Sequence, residues 1–299
     1  MFFVGQEENT IVIFVADHGE YAASHHMMME KWHTAYEEII HVPAVIKLPT
    51  ASSSSVAGLR YIDSVTSHVD ILPTILGLAG LNSNSIQEIA NKFASNYSMD
   101  KDMLTNLPGV DLSSLLLSPL PSDTTTTTNN DNEQYADIID NDGTTRKGVL
   151  FINYDEITAP INSNNENNNN DDIDSQNLFA VYNQIVEKVK KNPKMEIKLT
   201  SSSVKQPNNL HCVRSNDNYK LVKYFDPNHK VNDEWEMYDL SVDEHEEINL
   251  LNYQTGEPLT MIQLESYKST TSVKLTTEEI KMKYDELKVL LDELVKKNL

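Results

Sequence analysis

The sequence predicts an α/β unit followed by a smaller antiparallel sheet with a packing helix. Three observations carry this. Thr10 to Ala16 is an apolar, β-branched run that stops at Asp17, His18 and Gly19. A second strand-like run, His41 to Pro49, follows it. In the last hundred residues two apolar runs flank the turn signal Asn216-Asp217-Asn218, and a helical pattern closes the chain.

Residues 10–16 read as a buried strand, because apolar side chains fall on both faces. Residues 20–38 are polar and rich in His and Met, which suits a loop with short helical turns. Ser67 followed by Asp70 forms a capping-box pattern ahead of the helix Ile71 to Ala79, and Gly80 is its stop. Pro73 is tolerated because it falls in the first turn. Residues 121–145 and 162–177 are Thr-, Asn- and Asp-rich and are expected to be disordered, since they carry too little apolar area to offset ordering entropy. Between them Gly148 to Asn153 reads as a strand. Leu210–Ser215 and Tyr219–Phe225 form a hairpin, and Trp235–Leu240 adds a third strand. Thr276 and Glu279 open a terminal helix with an apolar stripe at Ile280, Tyr284, Leu287, Leu291 and Leu294; Lys296 and Lys297 suit its C-terminal end. Residues 1–160 are thus expected to hold a partial α/β core with a low-complexity insertion at about 121–145. Residues 161–299 are expected to hold a low-complexity segment and then the antiparallel subdomain with its helix.

Composition narrows the partners. The 299 residues carry a net charge of −21, which argues against nucleic acid, whose recognition relies on clustered Lys and Arg. No stretch approaches the ~20 apolar residues of a membrane span. The single cysteine, Cys212, allows no disulfide within the chain and reads as a small buried hydrophobe.

The chemistry-bearing residues gather after the first strand. In α/β proteins ligands sit at the carboxyl ends of strands, where the chain places Asp17 and His18. Both can reach one metal ion if the chain turns sharply, and Gly19 permits the turn. Lys31 could clamp an anionic oxygen and stabilise developing charge. His25, His26 and His33 crowd the same loop.

Asn9 to Glu20 resembles the sulfatase family of the alkaline-phosphatase superfamily. So do His26 ahead of Lys31 and Trp32, Tyr36-Glu37, and His41-Val42-Pro43. Further along, Ser67 to Gly80, Gly109-Val110-Asp111, Val213-Arg214, Tyr219-Lys220-Leu221 and Met237 to Leu250 fit the same pattern in order. The resemblance implies a partial alkaline-phosphatase-like sandwich with a small C-terminal antiparallel sheet and packing helix. It implies hydrolysis of sulfuric esters, on a small-molecule or glycan sulfate, beside a divalent cation, commonly calcium. Asp17 and His18 would be metal ligands, Lys31 would hold the sulfate oxygens, and His26 would lie near the substrate. Two other readings stay open: a phosphodiester or phosphonate monoester hydrolase of the same superfamily, and a non-catalytic remnant acting as a binding module.

The chain departs from the family in three ways. It has no Cys/Ser-x-Pro-x-Arg motif, from which the family's formylglycine nucleophile is made; Cys212 is followed by Val213-Arg214 with no proline. The paired acids of the family's first strand and a catalytic histidine from mid-fold also lack counterparts. The resemblance is therefore to the C-terminal portion. This polypeptide alone is expected to be inactive and marginally stable, with sheet edges and apolar faces exposed.

Overall fold

In a computed structural model, the structure describes residues 6–28, 31, 34–49, 61–97, 107–118, 137–154, 207, 209–227, 229, 231–266 and 274–299. The expected segment 162–177 lies outside these residues, as does most of 121–145.

The first strand, β1 (Val12–Val15), pairs antiparallel with β2 (Ala44–Lys47), Phe14 opposite Val45. Between them lie two single helical turns, α1 (Ser24–Met27) and α2 (Glu37–Ile40). The expectation of a buried first strand is corrected: Phe14 is 61% exposed and Val45 57%. Burying a strand on both faces takes neighbouring strands and a covering layer, and among the described residues β1 pairs only with β2. The expected exposed apolar faces are thus present.

The helix α3 (Ile71–Leu78) starts as its sequence predicts. Ser67 and Asp70 form the reciprocal capping box, and a 3-10 turn at His68–Asp70 leads in. It ends in a Schellman motif: Leu81 N–H donates to Leu76 O and Gly80 N–H to Gly77 O, with Gly80 at φ +75°. Two helices follow that the sequence reading passes over, α4 (Ser83–Tyr97) and α5 (Ser113–Leu117).

The C-terminal half is a four-stranded antiparallel sheet in the order β3 (Gly148–Tyr154), β4 (Asn209–Ser215), β5 (Tyr219–Phe225), β6 (Glu234–Asp239). The strand placed at 148–153 by its sequence is thus an edge strand of this sheet, not of the β1–β2 pair. The hairpin turn falls where Asn216-Asp217-Asn218 predicts, with Asn218 at φ +65°, a conformation Asn tolerates. In register, Leu150, Val213, Leu221 and Met237 form a row across the strands. This row meets the long helix α7 (Thr277–Asn298) through Ile280, Leu287 and Leu291, all buried. A short helix α6 (Met261–Glu265) adds Leu264 to that core. The Thr276–Glu279 capping box of α7 is formed as read.

After β6 the chain is tied back by side chains that mimic backbone. Asn249 accepts from the N–H groups of Met237 and Leu251 and donates to Trp235 O. Asp243 accepts from the N–H groups of Glu247 and Ile248. Residues 137–145 also correct the disorder expected through 145. Ile139 and Thr145 form a β-bridge around a turn in which Gly143 has φ +82°. Charge holds it: Asp140 accepts from Arg146 Nε at 3.0 Å, and Asp142 pairs with Lys297 of α7 at 2.9 Å. These acids are partnered, so a composition that looks like a solvated tail is folded here.

Two buried ionic clusters join the parts. Arg146 forms a bidentate pair with Asp70, NH1–Oδ2 2.7 Å and NH2–Oδ1 3.0 Å, both groups buried. The carboxylate of Asp70 also accepts from the N–H groups of Ser67 and Val110. This approach leaves no room at Gly109, where a Cβ would lie 2.0 Å from Val69 O. The second cluster lies on the sheet face opposite α7, around Lys220.

Candidate functional site

The turn after β1 puts the two expected ligands side by side. The Asp17 carboxylate is exposed, accepts from His18 N–H at 3.0 Å, and lies 3.5 Å from His18 Nε2. The backbone hydrogen bond from His18 is the main reason its carboxyl sits below the usual carboxylate range; the charges of His18 and Lys31 add to it. A carbonyl can only accept, so His18 Nδ1 donates to Gly19 O at 2.7 Å. In the neutral ring Nε2 then carries the lone pair and stands next to Asp17. His68 Nε2 donates to Ala16 O at 2.8 Å and fixes the strand end from the direction of α3.

Gly19 is required by a close approach. Its N–H donates to Ile39 O at 2.8 Å, and a Cβ there would lie 1.8 Å from Glu38 O. The loop that follows is strained, with Ala22, Ala23 and His25 at φ +48°, +75° and +45°. Each such residue costs about 1–3 kcal/mol, and strain of this kind gathers at functional sites.

Lys31 sits in an exposed turn, close enough to Asp17 to act on its charge. His26 lies in α1, and His33 falls outside the described residues. His25 is brought elsewhere: it stacks on Tyr36 at 3.8 Å and pairs with Glu38 at 3.0 Å. It therefore packs the loop rather than facing Asp17.

For a divalent cation, Asp17 and His18 are a pair of donors that one ion could share. By themselves they do not complete a calcium site, since calcium takes six to eight oxygen ligands. Among the described residues no group of three or more His, Cys, Asp or Glu could hold an ion. The residues present do not fit the whole metal centre.

The Lys220 cluster is the feature that sequence reasoning missed. Lys220 is fully buried on the sheet face opposite α7. Its ammonium donates to Ala35 O at 2.7 Å, pairs with Glu37 at 2.9 Å and contacts Glu246. Arg214 Nε stands 3.6 Å from Glu37. Glu37 N–H in turn donates to Glu246 Oε2 at 2.6 Å. Burial pushes the Glu37 carboxyl up, but Lys220 and Arg214 outweigh it and hold it below its ordinary value. At Glu246 burial wins over Lys220 and raises the carboxyl to about 7. Glu236, also raised by burial, accepts from Tyr224 at 2.7 Å and from Tyr36 at 3.4 Å. A signal was available: in Tyr219 to Phe225, alternation puts Lys220 on the same face as Val222 and Tyr224, the inward one.

Cys212 is fully buried beneath this cluster, and burial pushes its thiol up to about 12. The thiolate is the reactive form. Ellman's reagent is therefore expected to leave Cys212 untouched in the native chain and to titrate one thiol in urea. Rapid native labelling would contradict the structure.

Among the described residues no helix is long and apolar enough to cross a membrane. The Sulfatase family model matches residues 3–81. An Escherichia coli protein described as an uncharacterized sulfatase is 35% identical over 81 residues, 27% of this chain and 15% of its own length. The Endo-4-O-sulfatase of Bacteroides thetaiotaomicron is 33% identical over 89 residues, 30% of this chain and 16% of its own. Human Arylsulfatase K is 39% identical over 74 residues, 25% of this chain and 12% of its own. The chain thus matches less than a fifth of the length of each of these relatives. A solved Bacteroides thetaiotaomicron chain, titled for metabolism of multiple glycosaminoglycans, aligns with a TM-score of 0.45 at 18% identity, over 83% of this chain and 34% of its own.

Proposed function

We propose that the chain, whose residues 3–81 match the Sulfatase family model, corresponds to the C-terminal portion of a hydrolase of sulfuric esters. The observation that carries the reading is the placement of Asp17, ionised and exposed, at the end of β1 inside the matched segment. In this reading Asp17 and His18 serve as two ligands of a divalent cation, calcium, whose remaining ligands come from outside the described residues. Lys31 holds the sulfate oxygens, and His26 lies near the substrate. The substrate is a small-molecule or glycan sulfate ester.

The residues of this chain have defined work in such a site. Gly19 lets the turn close against Ile39, and His68 holds the strand end through Ala16 O. In the neutral His18 ring, hydrogen bonding of Nδ1 to Gly19 O leaves Nε2 with the lone pair. A lysine on sulfate oxygens stabilises the charge that develops as the ester bond breaks, a contribution worth about 10²–10³ in rate. No nucleophile motif lies in these 299 residues, so the polypeptide alone is expected not to turn over 4-nitrophenyl sulfate.

The test is a graft. Residues 3–81 replace the aligned segment of an active relative, and turnover of 4-nitrophenyl sulfate and a phenyl phosphonate monoester is compared. Retained sulfate hydrolysis, falling about 10²–10³-fold on Lys31→Ala, is the expected result. Faster phosphonate hydrolysis would favour the phosphonate reading. A folded but inert graft would overturn hydrolysis and favour a non-catalytic binding module. That module has one observation on its side, the incomplete metal centre among the described residues.

A further inference from the structure

The four residues 35–38 are held one after another by the C-terminal half of the chain and by the loop after β1. Ala35 O accepts from Lys220 at 2.7 Å. Tyr36 lies between His25, stacked on it at 3.8 Å, and Glu236. Glu37 is fixed at both ends, its carboxylate on Lys220 and Arg214 and its N–H on Glu246. Glu38 pairs with His25. The next residue, Ile39, is buried and gives its carbonyl to Gly19 N–H. Residues 36–41 form one hydrogen-bonded turn: the N–H groups of Ile39 and Ile40 reach Tyr36 O, and His41 N–H reaches Glu37 O. Glu37 and Ile39 thus belong to one hydrogen-bonded turn.

We propose that Lys220, on β5 of the C-terminal sheet, is a positioning residue for the Asp17–His18 turn, acting through Ala35, Glu37 and the Ile39–Gly19 hydrogen bond. The inference rests on reading that turn as part of the active site. Lys220 touches neither Asp17 nor His18; it sets where α2 stands, and α2 sets Gly19. The absence of a Cβ at Gly19 makes the coupling tight, because the Glu38 carbonyl sits where a side chain would be. A buried lysine suits this work. Its ammonium has three donors and here meets two carboxylates and one carbonyl on different segments. A shift of any one segment would leave a buried charge short of a partner, which is strongly unfavourable. The C-terminal subdomain in this view is the abutment against which the site loop is set.

The test is amide hydrogen exchange and the amide proton shift of Gly19 in the full chain. Lys220→Met is compared with Leu291→Ala, a core variant on the opposite face of the sheet that loosens the fold without touching α2. The expected result is at least tenfold faster exchange of Gly19, with an upfield shift of its amide proton, in Lys220→Met. In Leu291→Ala the Gly19 rate should stay within about twofold of the parent. Glu37→Gln keeps an acceptor for Lys220 and should fall between; it serves as the graded variant if Lys220→Met does not fold. An unchanged Gly19 in both cluster variants, or an equal rise in Leu291→Ala, overturns the proposal. The readout needs no turnover. A failed graft with the Gly19 result intact would remove the hydrolase reading and leave the coupling standing.

Discussion

Arg146→Ala is expected to lower the unfolding free energy by about 3–5 kcal/mol, because it strands the buried Asp70 carboxylate. Asp70 then keeps two backbone N–H donors, from Ser67 and Val110, and loses its counter-charge. The damage should spread through three places at once. Asp70 is the N3 residue of the capping box ahead of α3, it receives the loop at Val110, and through Arg146 it ties Asp140 and Val65 to the same point. Urea unfolding followed by circular dichroism measures the loss. Asp70→Asn should cost a similar amount, and the double variant should cost well below the sum, since the two residues share one interaction. A loss below about 1 kcal/mol for either single variant would mean the pair is not buried as described.

Lys220→Met should cost about as much, 3–5 kcal/mol by the same rule, since Glu37 and Glu246 would face each other with their common cation gone. The cluster also makes stability depend on pH in a defined window. Glu246 titrates near 7 in the fold against 4.5 for an unperturbed glutamate. Between those values the folded chain holds a proton that the unfolded chain has released. Stability therefore falls as pH rises through the window, with a slope of up to about 1.4 kcal/mol per pH unit. Glu37 acts in the opposite sense and lower down: its carboxyl is depressed, so its contribution is present above the ordinary value and lost as pH falls below it. Glu246→Gln should remove the fall between about pH 5 and 7. Other groups contribute to both curves alike, among them His211, whose imidazole burial pushes down from its ordinary value. The difference between the parent and variant curves isolates Glu246. Parallel curves would show that Glu246 is ionised throughout.

Much of this was legible in the residues themselves. Capping boxes at Ser67–Asp70 and Thr276–Glu279 are local: each is a side chain reaching a backbone N–H three residues away. The hairpin at Asn216–Asn218 follows from which residues tolerate positive φ. The adjacency of Asp17 and His18 at a strand end needs only a strand and a glycine. The role of Asp70 was half legible. Its cap is local, but its partner Arg146 lies 76 residues on, beyond a low-complexity stretch. Lys220 was legible only as an odd charge in an apolar strand; its partners sit 183 residues before it and 26 after it.

The sequence by itself determined the capped helix starts, the C-terminal hairpin, the strand-end placement of Asp17 and His18, and the likeness of residues 3–81 to sulfatases. These depend on short-range sterics, periodicity and hydrogen bonds between near neighbours. Only the tertiary structure decided that β1 lies open, that β3 joins the C-terminal sheet, that residues 137–145 fold as a turn, and that Lys220 reaches across to the loop below Gly19. The reason is physical. Burial and ion pairing are properties of what lies opposite, and no local pattern states which distant segment will supply the opposite charge or the covering face.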